Sequence, residues 1–480
     1  MPASGARFTQ YAKMMAASSV DESPLPANAP VDSGRVSRRR TIAGAAISLT
    51  TTLILPGCGT DQAIETFPTA APQAGSALRS LLEDTPAVAV AGERLNTGLL
   101  RRFYARHDDE LVWTSRPAQA RALIDALQRA PRHGLNPDLF HASALRDERR
   151  LSPLQRDVLV SDALLSYADA LARGAVPVER RRQDETLAPD PVDVADALIQ
   201  AMASADPGPA IEALAPSTPT YQALQDALQR HRAGGGSGSM ASAARQQALE
   251  VNLERQRWLP RRLPADRVWV NVADERLVMY RAGRPALQTR VVVGEDVERN
   301  QSPEFRATID ASFYNPPWVI PADIAAAEIL PNLDQDPNYL TRNRMVMLAN
   351  GEVEQLPGPD AGLGLVLFDM PNRFDVYLHD TPQRNVFLRQ NRRISHGCIR
   401  VQHPRELAAL LMDQPIDTID QGIAAGSTTR NALPTPVPVF VVYQTAFLDT
   451  AGALQFRRDF YDRDAAIWRQ MQKGVRSDQG

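Results

Sequence analysis

The sequence predicts a multidomain α+β protein, an all-helical domain over residues 76–232 followed by a mainly-β domain over residues 244–470. Three observations predict it. Apolar residues recur at helical spacing up to about residue 232 and at a period of two from about residue 266. The Gly/Ser run Gly234 to Ser239 marks the change, inside a linker assigned to residues 233–243. A chain of 480 residues with 44% hydrophobic content is too long for one core and apolar enough to fill two.

Taken in order, residues 1–57 read as an export signal. Ser37-Arg38-Arg39-Arg40 is basic, and Thr41 to Leu55 is an apolar run too short for a membrane span. Leu55-Pro56-Gly57-Cys58 resembles a lipobox, whose cleavage would leave a diacylated Cys58. The paired arginines resemble a twin-arginine signal, although Thr41 stands where that motif prefers an aromatic. A plain signal peptide with a chance cysteine stays open, because Pro56 is unusual two places before the cysteine. The expected location is the periplasm, anchored by lipid; Gly59 rather than Asp after the cysteine favours the outer membrane over the inner. Residues 58–75 read as a flexible tether.

The helical domain rests on stripes such as Leu123-Ile124-Leu127 and Leu154-Val158-Leu164-Leu165-Ala168-Leu171, with Gly134 and Gly174 as stops. Such stripes are core and carry no chemistry, and His107, His133 and His141 read as structural. After the linker a helix from Ala244 to Trp258 leads into strands such as Val268-Val270-Val272, Val291-Val293, Phe374-Val376-Leu378 and Val437-Val439-Val441-Tyr443. A β-sandwich or open barrel is the expected outcome. Residues 320–365 interrupt the strands with a helical piece, Ala322 to Leu330, and a Gly/Pro loop. Such a long segment inside a compact domain is usually a lid or binding loop. Residues 471–480 read as a disordered tail.

Without residues 1–57, which carry six Lys/Arg and three Asp/Glu, the formal charge moves from −3 to about −6. Nothing basic enough for nucleic acid is present. Lys13 and Lys473 are the only lysines, so the positive charge is arginine throughout.

The chemistry concentrates in Ser395-His396-Gly397-Cys398-Ile399-Arg400, with His379 nineteen residues before the cysteine. A thiol attacks well when a neighbouring imidazole or positive field raises its thiolate fraction, and His379, His396 and Arg400 are all near. Gly397 leaves room for backbone N–H groups to approach an oxyanion. The only other cysteine is Cys58, so a disulfide in the mature body would have to consume this thiol. A buried inert cysteine is the bland alternative. A zinc site from His379, His396, Cys398 and His403 is the sharper one, but His-x-Cys crowds two ligands together and no paired ligand motif supports it. No metal or organic cofactor is expected.

At these residues the sequence resembles the L,D-transpeptidases of bacterial cell-wall synthesis, whose signature is a histidine, a spacer and Ser/Thr-His-Gly-Cys. Asp375 to Pro382, Phe313 to Trp318 and Phe456 to Tyr461 look like the large multidomain Gram-negative branch, and the likeness covers most of residues 76–470, including a helical scaffold and a capping insertion. The resemblance implies Cys398 as nucleophile and His379 as its base, with the backbone carbonyl of Asp380 orienting the ring. It places Ser395, His396, Gly397 and Tyr377 around the acyl site and oxyanion, and gives Arg400 a pocket and substrate-carboxylate role. Trp318 is either substrate-facing or core. The implied partners are peptidoglycan stem peptides: a tetrapeptide donor and a diaminopimelate amine as acceptor, joined through a thioester. The same thiol could instead hydrolyse the thioester as a carboxypeptidase or endopeptidase, or attach a protein to peptidoglycan. A non-catalytic envelope scaffold is the remaining alternative. Relatives commonly carry a small peptidoglycan-binding module between scaffold and catalytic domain, and residues 233–243 leave no room for it.

Overall fold

A computed structural model describes residues 71–83, 88–147, 150–234 and 240–473. The expected export signal, Cys58, most of the tether, the centre of the Gly/Ser run and nearly all of the expected tail lie outside the described residues.

Helices α1 (Ala71–Glu83), α2 (Thr97–Tyr104), α3 (Pro117–Gln128), α4 (Pro153–Arg173), α5 (Val194–Ala203), α6 (Pro207–Glu212) and α7 (Pro219–Ala233) build the first half. Their starts are written in the sequence. Proline stands in the first turn of α3, α4, α6 and α7, where no N–H is needed. Ser152 and Gln155 form a reciprocal capping box before α4, and Asp193 and Thr218 accept backbone N–H groups at the starts of α5 and α7. Helix α4 is buried from Asp157 to Ala172, so it is the axis around which the others pack. Two of its buried carboxylates are satisfied: Asp157 accepts from the N–H groups of Val112 and Trp113 and from the Tyr104 hydroxyl, and Asp162 meets His141 Nε2 at 2.8 Å. His141, wholly buried, and His133, bonded to Tyr221, are structural as expected.

Helix α8 (Met240–Arg257) packs on α7 and on the C-terminal helix, so it belongs to both halves. Its fully buried Glu254 accepts from the N–H groups of Ala175 and Val176 and from Trp258 Nε1, and pairs with Arg257 at 2.7 Å. The turn closing α4 passes so close that a Cβ on Gly174, at φ +99°, would lie 2.5 Å from the Glu254 carboxylate.

The second half is built on strands β1 (Arg267–Asn271), β2 (Arg276–Arg281), β3 (Arg284–Gly294), β4 (Phe305–Tyr314), β5 (Val366–Asp369), β6 (Leu378–His379), β7 (Arg393–Ser395), β8 (Ile399–Val401) and β9 (Thr429–Val442). Their ladders run β3-β8-β6-β5-β4-β9-β1-β2, and β2 pairs back onto β3. The ring is therefore closed, a step beyond the open form expected. β3 makes this possible because residues 284–290 pair with β2 and residues 291–292 with β8. Closure removes free edges from the ring, and β7 adds to β3 as a ninth strand. Val268, Val270, Leu277, Met279, Leu378 and Ile399 fill the interior, sealed by α9 (Pro404–Met412) and α10 (Ile416–Ala424).

Between β4 and β5 the insertion makes its own small body. Trp318–Val319, Val353–Gln355 and Met345–Met347 form a three-stranded sheet, packed with short helices around Ile320, Ala325, Ile329 and Val353. Residues 325–329 are a π-turn, in which the Leu330 N–H bonds to the Ala325 carbonyl. Pro331 follows; its ring cannot share space with the carbonyl four residues back, so the turn before it widens. After β9, the hairpin β10 (Ala446–Leu448) and β11 (Leu454–Phe456) and helix α11 (Arg463–Lys473) return to the helical half.

Candidate active site

β6 and β8 run parallel, with Leu378 opposite Ile399 and His379 opposite Arg400. Leu378 and Ile399 point into the barrel core. Because side chains alternate along a strand, Tyr377, His379, Cys398 and Arg400 share the outer face of two strands about 4.8 Å apart. That face is the floor of a cleft of about 640 Å³, walled by Trp318 to Ile324 of the insertion and by Asp375. Seven of the expected residues, Trp318, Tyr377, His379, Ser395, His396, Cys398 and Arg400, line it.

The turn carrying the thiol is held from below. Gly397 has φ +112°, a conformation costly for other residues. Ser395 Oγ accepts from the Gly397 N–H at 3.2 Å and donates to the Cys398 carbonyl at 2.6 Å. Ser395 thus spends its hydroxyl on the turn. This corrects one expectation: the Gly397 N–H is already occupied and cannot serve an oxyanion. The Cys398 N–H, with no hydrogen bond among the described residues, is the donor left for that role.

The electrostatics differ from an ion pair. Burial pushes the Cys398 thiol above its ordinary value, only partly offset by the Tyr377 backbone N–H and by Arg400. Burial, and then the Arg400 charge, push His379 down to about 4, while the carbonyls of Asp380 and Leu363 act weakly the other way. His379 Nδ1 nevertheless closes no hydrogen bond of full geometry among the described residues, so the Asp380 carbonyl expected to orient the ring lies near it without a formed bond. At neutral pH the pair is thiol and neutral imidazole, where the sequence suggested a preformed thiolate. Burial likewise raises the Tyr377 phenol, which stays protonated and able to donate. Asp380 is fixed by its carboxylate, which accepts from the Leu365 N–H and pairs with Arg384 at 2.8 Å.

Arg400 has a buried Nε without a partner and only a long contact, 3.4 Å, from Nη1 to Gln383. A half-buried guanidinium so lightly engaged suits an incoming carboxylate. His396 is exposed and its Nε2 meets Glu328 of the π-turn at 3.1 Å, so the insertion touches the motif directly. Trp318 serves in both of the ways considered: it packs with the insertion's core and with Phe313, Leu363 and Leu367 of the barrel, and it also faces the cleft. His403 is the residue before α9, and its ring pairs with Glu406. Among the described residues no three His, Cys, Asp or Glu side chains gather in a way that could hold a metal ion.

Sequence reasoning missed the support behind the motif. Wholly buried Ser302 donates to the Gly397 carbonyl at 2.8 Å and accepts from the Gly294 N–H at 2.9 Å, while its own N–H meets the Tyr461 hydroxyl. Tyr461 donates to the Gly294 carbonyl at 2.6 Å. Gly294 is required here because a Cβ would lie 1.9 Å from the Asn300 carbonyl oxygen. Arg463, fully buried, joins the Ser302 carbonyl to Asp184 of the helical half and approaches Glu304 at 3.4 Å. Burial pushes Glu304 up to about 7. Ser302 carries no local motif, and Tyr461 lies in a stretch, 456–461, whose resemblance to the family implies no role for it.

A half-buried thiol, a neutral imidazole, a backbone N–H without a partner among the described residues and a lightly engaged guanidinium in one cleft make this the candidate active site. The comparisons agree. Residues 265–439 match the L,D-transpeptidase catalytic domain and residues 98–228 match a scaffold domain. A Haemophilus influenzae protein named "Putative L,D-transpeptidase" is 31% identical over 244 residues, 46% of this chain and 49% of that protein. The chain thus spans about half the length of this curated relative. A solved structure titled "Structure of the Ldtfm-avibactam carbamoyl enzyme" aligns over 37% of this chain and 49% of its own, at 14% identity and a TM-score of 0.20, a likeness that carries no argument.

Proposed function

We propose that the protein is a peptidoglycan L,D-transpeptidase that joins third-position residues of stem peptides through a thioester on Cys398. The observation that carries this is the convergence of Cys398, His379 and Arg400 on one face of β6 and β8 inside the cleft. Arg400 receives a carboxylate of the donor stem. As the Cys398 sulfur bonds to the carbonyl carbon after the third residue, His379 takes the thiol proton and the Cys398 N–H holds the oxyanion. The carbon–nitrogen bond then breaks and His379 returns the proton to the departing D-alanine amine. A second stem's side-chain amine attacks the thioester, gives a proton to His379 and leaves as an amide, restoring the thiol. The protonated resting thiol favours this concerted route over attack by a preformed thiolate.

Incubation with disaccharide-tetrapeptides and mass spectrometry of the products tests the reading: a cross-linked dimer supports it, and tripeptide alone assigns the same thiol to hydrolysis. The envelope location follows from the sequence before residue 59. We place the enzyme in the periplasm, held to the outer membrane by lipid on Cys58. Cys58→Ser then moves it to the soluble fraction; a Ser variant still in the membrane pellet overturns this.

A further inference from the structure

A second cavity, of about 530 Å³, lies on the β1–β2 side of the barrel, away from the β6–β8 cleft. The volume is within the range of about 300–1,000 Å³ usual for small-molecule sites. Its floor is the outer face of β1 and β2, where Arg267 faces Tyr280 and Trp269 faces Val278 across the ladder. The walls are the start of α7 at Thr218–Thr220 and the turn between β10 and β11 at Leu448–Gly452. Both halves of the protein therefore contribute to it.

The polar inventory is what needs an occupant. Gln444 is 3% exposed; its main chain is tied to Asn271, but its carboxamide has no hydrogen-bond partner among the described residues. A polar group so deep is expected to be paired, and the space it borders is the cavity. The half-buried indole of Trp269 borders the same space, and its N–H has no hydrogen bond among the described residues. Arg267 lies over the Tyr280 ring at 3.8 Å with its Nε unpaired.

Chemistry narrows the class. Two cations, Arg267 and Arg276, are matched by two anions, Asp274 and Asp449, so the lining does not select for a charged ligand. A purely apolar ligand would leave the Gln444 amide and the indole N–H unmet. An extended peptide would want a strand edge, and β1 and β2 are paired on both sides. What remains is a neutral molecule with flat apolar faces and many hydroxyl or acetamido groups. We propose that the cavity is a saccharide site, taking amino-sugar units of a glycan strand against Trp269 and Tyr280, with Gln444 bonding their polar substituents. The glycan would come from the same peptidoglycan whose stems enter the cleft, the one point at which the proposal rests on the functional reading.

Calorimetric titration of Cys398→Ala protein with stem-free peptidoglycan glycan strands reads the site without turnover. The expected result is saturable binding that weakens at least tenfold in Trp269→Ala and in Gln444→Leu. Trp269 packs on Phe440, so Thr450→Trp, on the exposed turn, is the second variant; it fills the mouth and abolishes binding with the core untouched. No binding at millimolar glycan, equal binding by Thr450→Trp, or glycan-free stem peptides binding in a Thr450→Trp-sensitive way each overturn the proposal. Glycan binding that persists alongside failure to form cross-linked dimer overturns the functional reading instead and leaves the saccharide site standing.

Discussion

At the scale of single residues, the account depends on a neutral pair. His379 held near 4 keeps its base form down to about that pH, so the acid limb of kcat/KM should fall near pH 4 and not near the ordinary histidine value of about 6.5. A limb near 6.5 would show that the ring is not desolvated in the working enzyme. The raised thiol predicts slow alkylation of Cys398 by iodoacetamide at pH 7, rising only above the usual thiol range near about 8.5. Ser302→Ala removes the donor to the Gly397 carbonyl and should lower kcat by roughly tenfold or more with KM little changed, because it loosens the thiol's turn and touches no substrate; unchanged kcat would reduce Ser302 to packing. Cys398, His379 and Arg400 were legible because the chemistry sits in one hexapeptide and one nearby strand. Ser302 was not, since it acts from 95 residues away through a contact only the closed barrel creates.

At the scale of elements, the period-two runs announced most of the strands, but of the run Phe374-Val376-Leu378 only Leu378 lies in β6, since Phe374 sits in a turn and Asp375 takes φ +53°. Closure of the ring was not legible, because it depends on one long strand changing partners midway. The insertion was legible as an interruption, while its π-turn arises from Pro331 and places Glu328 against His396 by packing alone. Both side chains are largely exposed, so this contact contributes at most about 1 kcal/mol. Glu328→Ala should accordingly raise KM by no more than roughly fivefold and leave kcat intact. A collapse in kcat would mean that Glu328 works on the chemistry itself.

At the scale of the whole molecule, the two halves share buried charge. Arg463 bridges Asp184, Ser302 and Glu304 with no exposure of its own, so Arg463→Leu should cost about 3–5 kcal/mol by stranding carboxylates, read as a lower urea midpoint. The folded state holds Glu304 up to about 7, so its stabilisation is full below the unfolded carboxylate value near 4.5 and is lost as pH rises through 7. His379, near 4, and His133, lowered to about 3, act oppositely, because the unfolded chain takes up their protons as pH falls below about 6.5. Glu304→Gln should therefore steepen the rise of stability between pH 5 and 6.5 by up to about 1.4 kcal/mol per pH unit. An unchanged slope would mean that Glu304 is ionised in the fold. The two-domain division was legible from composition, but the bonding of α8 to both halves was not, since nothing in the sequence marks the charged Glu254 and Arg257 as buried partners. The central claim, that Cys398 is the acylated nucleophile, is tested most directly by intact-mass measurement after brief mixing with a tetrapeptide stem. The account predicts an adduct of the tripeptide acyl group, labile to hydroxylamine and absent from a folded Cys398→Ala variant; the same adduct on that variant, or cross-linked product formed by it, would contradict the account.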